Sequence, residues 1–294
     1  MARPLRLHIP GAWYHVMSRG NARQQIFFNT EDYAHFLVRL SVTSTRFRVR
    51  CRAYCLMRNH FHLLLQAGEL PLGRMMQQLN SSYSQRFNRR HERVGHVLQG
   101  RFKGLLIDGD DYVRRVLRYI VLNPVRAGLV ARPADWPWSS YGATAGLQAP
   151  PPFLALDGVW RAFDPEPPIA QAVFAAFVAA GPSVDDQPPD RIACGSPAFR
   201  ARVSAAIEPH RGAKDFIYAE RFACRPSLGQ LLSNSRGPAA LDFAMQDAFE
   251  RHGYSAREIG DFVGRPAATI WRRIRRASQR HPAADGGETA KIEI

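Results

Sequence analysis

The run Asn59-His60-Phe61-His62-Leu63-Leu64-Leu65-Gln66 leaves this stretch of chain little freedom. As a strand, it sends His60 and His62 to one face, about 6.5–7 Å apart along the backbone, and Phe61, Leu63 and Leu65 to the other. The apolar side anchors the strand in a core. Two imidazoles at that spacing are within reach of a single metal ion, although two histidines on the open face of a sheet would show the same pattern.

A second element, Arg118-Tyr119-Ile120-Val121-Leu122-Asn123-Pro124-Val125, gives the histidines a context. It reads as the end of a helix that starts near Asp110 or Asp111, whose acids suit a helix N-terminus, and that Pro124 stops. Spacing by four puts Tyr119 and Asn123 on one face, one turn apart. If that face covers the histidines, the site holds two imidazoles, an amide oxygen and a phenol. Such a set suits phosphodiester cleavage, in which a metal polarises the scissile phosphate and the phenol attacks phosphorus to give a phosphotyrosine link.

Four motifs in order then carry a resemblance: Pro10-Gly11-Ala12-Trp13-Tyr14-His15-Val16-Met17-Ser18-Arg19-Gly20-Asn21, the two-histidine strand, the Tyr119 to Val125 helix end, and Trp136-Pro137-Trp138-Ser139-Ser140-Tyr141. Over roughly residues 5 to 146 the chain resembles the single-tyrosine HUH transposases, specifically the REP-associated tyrosine transposases related to the insertion-sequence 200 type. The resemblance implies a ferredoxin-like catalytic domain that cuts and rejoins single-stranded hairpin DNA, with repetitive extragenic palindromes as targets and a divalent metal as cofactor. It also implies His60 and His62 as metal ligands, Tyr119 as nucleophile and Asn123 as third ligand, a position that resembles a glutamine in some relatives. Two imidazoles favour zinc, nickel or copper on ligand softness, whereas the family implies magnesium or manganese. Manganese reconciles the two.

Charge points to the same half of the chain. Residues 1–146 hold 22 Lys+Arg against 8 Asp+Glu, a net of +14 out of the chain's +15. A polyanion would therefore be drawn to the half that holds the histidines, releasing its counterions there. Arginine supplies most of this charge, and its planar fork both binds phosphate and stacks on unpaired bases. No run of apolar residues is long enough to span a bilayer, and the basic N-terminus leads into a strand, so a cytosolic protein without a membrane partner is expected. Cys51 and Cys55, about 13 Å apart in one strand, are too distant for a disulfide, and with Cys194 and Cys224 they are read as free thiols, mostly buried.

Periodicity along residues 1–146 gives strand, helix, strand, strand, helix, strand: Ala12 to Ser18, a helix opening at Thr30, Arg48 to Met57, His60 to Gln66, Leu70 to Arg90, and Phe102 to Ile107. That is the split pattern of a ferredoxin-like antiparallel sheet, followed by the tyrosine helix packed across it. Tyr83 is the rival nucleophile, since it too lies on a helix among polar and basic residues. Arg19, Asn21 and Arg23 form a loop suited to approach a phosphate, or a plain turn. Gln99, Arg101 and Lys103 form a polar stripe on a strand, with Arg101 and Lys103 as candidate DNA contacts or equally part of a solvated face. Trp136, Trp138 and Tyr141 are expected to pin the following chain back onto the domain, with stacking on bases as the alternative.

The expected organisation is thus α+β: a catalytic domain over 1–146, a helical connector over 147–236 broken by proline-rich and acidic stretches, a helix-turn-helix over 237–281, and a disordered tail over 282–294. In the third segment Ser255 caps a helix and Gly264 turns into the next. Arg265, Arg272, Arg273, Arg275 and Arg276 then suit the last helix to phosphate or groove contact on duplex DNA, although a plain trihelical packing module would show the same spacing. Two other functions fit the sequence: a DNA-binding regulatory or structural protein with a vestigial histidine site, and a metal-dependent hydrolase in which Tyr119 only donates a hydrogen bond.

Overall fold

The computed structural model describes residues 7–182, 193–207, 226–233, 235, 237–250, 252 and 254–280. The chain falls into two compact units, Met1–Glu220 and Arg221–Ile294.

In the first unit, β1 (Trp13–Arg19), α1 (Thr30–Arg46), β2 (Arg50–Met57), β3 (His60–Gln66), α2 (Leu72–Arg90), β4 (Lys103–Ile107) and α3 (Asp110–Arg126) follow in the expected order. The sheet runs β2-β3-β1-β4, each neighbour antiparallel, which is the ferredoxin-like strand order. A strand not foreseen from the sequence, β5 (Ala193–Cys194), adds to the free edge of β4 in parallel.

Alternation on β3 decides which helix lies on which face. Phe61, Leu63 and Leu65 are fully buried. Phe61 meets Phe36 of α1 with ring centroids 4.6 Å apart, and Phe36 in turn meets Tyr83 of α2 at 5.2 Å. Both intervening helices thus cover the apolar face. Helix α1 starts on a reciprocal cap, in which the Asn29 side chain accepts from the Asp32 N–H while the Asp32 carboxylate accepts from the Asn29 N–H.

Helix α3 covers the opposite face, and it corrects one expectation: Pro124 does not end it. A proline lacks the N–H that would bond to the carbonyl four residues earlier, here Ile120. The Asn123 amide supplies replacements, donating from Nδ2 to Tyr119 O at 2.7 Å and to Ile120 O at 3.4 Å, and the helix continues to Arg126.

The chain after α3 is tied back to β2. Trp136 Nε1 donates to Leu56 O at 3.0 Å, Trp138 stacks on Tyr33 at 4.6 Å, and Ser140 N bonds to Tyr54 O, so this motif lines the outer edge of the sheet. Short helices α4 (Tyr141–Thr144), α5 (Asp157–Arg161), α6 (Pro167–Ala179) and α7 (Pro197–Ile207) complete the described part of this unit. Arg52, at a bulge in β2, is buried under them, where it donates to Asp157, to Ala155 O and to Gln66. Gly146, where composition changes, lies inside this unit. Cys51, Cys55 and Cys194 are buried free thiols, while Cys224 lies outside the described residues, as does the tail expected over 282–294.

The second unit contains α8 (Leu228–Leu232), α9 (Pro238–Glu250), α10 (Ala256–Val263) and α11 (Ala267–Arg280). Leu228, Met245, Ile259, Ile270 and Ile274 form its core. Ser255 caps α10 in a reciprocal pair with Glu258, and Gly264, at φ 67°, turns the chain into α11. Gly260 admits the turn closely: a Cβ there would lie 2.5 Å from the Arg265 carbonyl oxygen. Among the described residues no helix is long and apolar enough to cross a membrane.

Candidate active site

Register brings the polar residues of several strands to the face under α3. Met17 of β1 faces His62, Arg19 faces His60, and on the next strand Lys103 faces Met17. In antiparallel pairs, directly opposed residues share a face. Arg19, His60, His62 and Lys103 therefore lie on one side of the sheet, with His15 two residues before Met17.

Tyr119 of α3 reaches this group. Its ring lies 5.5 Å from His62 and 5.8 Å from His15, edge-on to both, and the Arg126 guanidinium sits 5.1 Å over it. The phenol is half-buried, so it remains open to a substrate. Tyr83, the rival, is enclosed on the far side of the sheet, where its hydroxyl donates to Ile26 O and burial raises its pKa. Tyr14 is likewise engaged, its hydroxyl donating to Leu7 O.

Each ligand candidate is held at Nδ1. His60 Nδ1 is 2.7 Å from Asn59 Oδ1, and His62 Nδ1 is 2.9 Å from His15 Nε2. Burial pushes His15 and His60 down to about 4, with the Arg19 charge adding to the effect on His60. His62 falls well below the usual histidine value through burial, reinforced by His15, His60 and Arg19. All three imidazoles are neutral at pH 7, which is the form that ligates a metal.

Whether the residues suit a divalent ion turns on one atom. His62 is 1% exposed, and its buried Nε2 has no hydrogen-bond partner. An orphaned nitrogen in that position costs about 1–3 kcal/mol unless something binds it. With Nδ1 of His60 occupied, Nε2 remains as its ligand atom too. The donor set therefore fits an ion bound by two imidazoles, with Asn123 Oδ1 on the same helix turn as Tyr119. Among the described residues no cluster of three or more His, Cys, Asp or Glu side chains forms a metal site.

The Arg19–Arg23 loop sits at the end of β3. Gly20 N bonds to Asn59 O, and Asn59 Nδ2 bonds to Arg23 O. A Cβ on Gly20 would fall 2.0 Å from Gln24 O, and Ala22 and Arg23 both adopt positive φ, 50° and 60°. Such left-handed residues cost about 1–3 kcal/mol each and concentrate at working sites. Asn21 and Arg23 are exposed, whereas Arg19 is half-buried with its Nε enclosed and unpartnered.

Two results were not anticipated from the sequence. His15, buried within β1, completes the site; only the register between β1 and β3 reveals it. In the second unit Arg265, Arg272, Arg275 and Arg276 are exposed, but Arg273 is paired with Asp242 and directed at Pro238 O.

Residues 8–123 match the family described as "Transposase IS200 like". Among solved structures, one of a REP-associated tyrosine transposase bound to a REP hairpin is similar at 21% identity, covering 53% of this chain and 92% of that chain with a TM-score of 0.43. No curated protein matches the chain. The matched segment 8–123 holds the four antiparallel strands, both histidines and Tyr119.

Proposed function

We propose that this protein cleaves and rejoins single-stranded hairpin DNA through a phosphotyrosine intermediate on Tyr119. The observation that carries this reading is the meeting of a half-buried phenol with two neutral histidines, one bearing an orphaned nitrogen, on a face that also presents Arg19 and Lys103. A divalent ion held by His60 and His62, with Asn123 as third ligand and manganese or magnesium as its identity, would polarise the scissile phosphate.

The chain's own groups supply the rest. Tyr119 Oη forms a bond to phosphorus and loses its proton, one bridging P–O bond breaks, and the departing deoxyribose oxygen takes up a proton. Rejoining reverses these steps with a strand-end hydroxyl as attacker. Arg19, with its enclosed Nε beside His60, is suited to hold a non-bridging phosphate oxygen. Asn21 and Arg23, on the strained loop, and Arg101 and Lys103, just before and at the start of β4, extend the phosphate path. The similar solved structure is of a transposase bound to a REP hairpin, and a hairpin of that class is the proposed target here.

For the second unit, exposed Arg265, Arg272, Arg275 and Arg276 on and before α11 support contact with duplex DNA in helix-turn-helix fashion. Arg273 serves the fold by pairing with Asp242.

The test uses the full chain and a single-stranded hairpin oligonucleotide. Cleavage in Mn²⁺ is expected, with loss both in excess chelator and in Tyr119→Phe, while hairpin affinity of the Phe variant stays within a few-fold. Cleavage that survives either treatment contradicts the reading.

A further inference from the structure

We infer that His15 is a positioning residue for the metal site: it accepts a hydrogen bond from His62 Nδ1 and thereby holds His62 in the tautomer whose Nε2 lone pair faces the ion. The inference rests on reading His62 as a ligand.

The geometry is specific. His15 Nε2 and His62 Nδ1 are 2.9 Å apart, and the two rings lie within 19° of coplanar with centroids 5.1 Å apart. Contact therefore runs edge to edge through the nitrogens rather than face to face. A neutral imidazole has one N–H and one lone pair, so one nitrogen of this pair donates and the other accepts. If His62 carried its proton on Nε2, that N–H would be buried without a partner, since the atom is enclosed and unbonded. Placing the proton on Nδ1 satisfies His15 Nε2 and leaves a lone pair on Nε2. His15 is itself only 5% exposed and lies on the strand next to β3, so backbone pairing as well as packing fixes its ring. Asn59 Oδ1 does the same for His60, at 2.7 Å from Nδ1. Outer partners of this kind orient ligand imidazoles, and their loss typically costs about 10–100-fold in metal affinity.

Two measurements on the full chain separate this inference from the metal reading. Ring ¹⁵N shifts of the metal-free protein report the His62 tautomer directly, and Mn²⁺ titration followed by electron paramagnetic resonance reports affinity. Wild type is expected to show His62 protonated on Nδ1. His15→Leu should lose that preference and bind Mn²⁺ about 10–100-fold more weakly, whereas His15→Gln, whose side-chain oxygen can accept the same bond, should recover much of both. His62 protonated on Nε2 in wild type, or a folded His15→Leu with wild-type tautomer and affinity, overturns the inference. A wild type that binds no Mn²⁺ yet keeps the Nδ1 proton, and loses it in His15→Leu, would sink the metal reading and leave the hydrogen bond standing.

Discussion

The two faces of β3 obey different rules. Towards α1 and α2 it presents Phe61, Leu63 and Leu65, each fully buried among aromatic and aliphatic side chains. Towards α3 it presents His60 and His62, partnered at Nδ1, with a buried nitrogen on His62 left unbonded. One strand thus supports the fold on one side and carries an energetic liability on the other. A liability retained in so well packed a sheet marks the face that binds something, since a fold under no other demand would bury an apolar side chain there.

Substitutions at neighbouring positions of β3 should have opposite effects on the two faces. His60→Ala is expected to lower hairpin cleavage on the order of a thousandfold, because the bound ion contributes several kcal/mol to the transition state. The unfolding free energy should move by about 1 kcal/mol or less, since His60 is half-buried and has a single polar partner. Phe61→Ala should invert the pattern, costing about 3–5 kcal/mol of stability through the cavity it leaves while the folded fraction still cleaves. Urea unfolding and cleavage assays on both variants would expose any exchange of these roles.

A smaller effect should appear with pH. The unfolded chain takes up a proton on each histidine below about 6.5, whereas burial holds His15 neutral down to about 4. The unfolded state therefore binds more protons across that window. Stability is fully present above 6.5 and declines as pH falls towards 4, with His15 alone accounting for up to about 3 kcal/mol. Urea midpoints of the metal-free protein should fall over this range, and His15→Gln should make the decline shallower. A flat profile in wild type would mean that the histidine face is wetter than its burial indicates.

The smallest expected change lies in the second unit. Arg272→Ala with Arg275→Ala should weaken duplex binding several-fold and reduce its salt slope by up to about 2, with hairpin cleavage unaltered. Arg273→Ala should act on folding instead, because its guanidinium is committed to Asp242. Fluorescence anisotropy at several salt concentrations, beside thermal unfolding, distinguishes the two.

Much of this was legible in the sequence where a local rule dominated. The alternation His60-Phe61-His62, the turn at Arg58-Asn59, the acids at Asp110 and Asp111 and the cap at Ser255 each specify their element without help from distant chain. Legibility failed where tertiary partners decide. Pro124 normally ends a helix, but the Asn123 amide replaces the missing donor, so α3 runs on. Strand β5 has only two residues, Ala193 and Cys194, too few for any period, and exists by pairing with β4. His15 looks like one polar residue in an apolar strand until the register sets it beside His62. The break in composition after Gly146 did not disclose that Arg52, far earlier in the chain, anchors the region around Asp157.

Peptide mapping of a trapped covalent adduct shows whether Tyr119 Oη is the attacking atom. After incubation of the full chain with a single-stranded hairpin and Mn²⁺, denaturation and protease and nuclease digestion, mass spectrometry should find the nucleotide remnant on the peptide that contains Tyr119. Tyr119→Phe should yield none. A remnant on Tyr83 or any other residue, or efficient cleavage with no protein-linked DNA, would contradict the account.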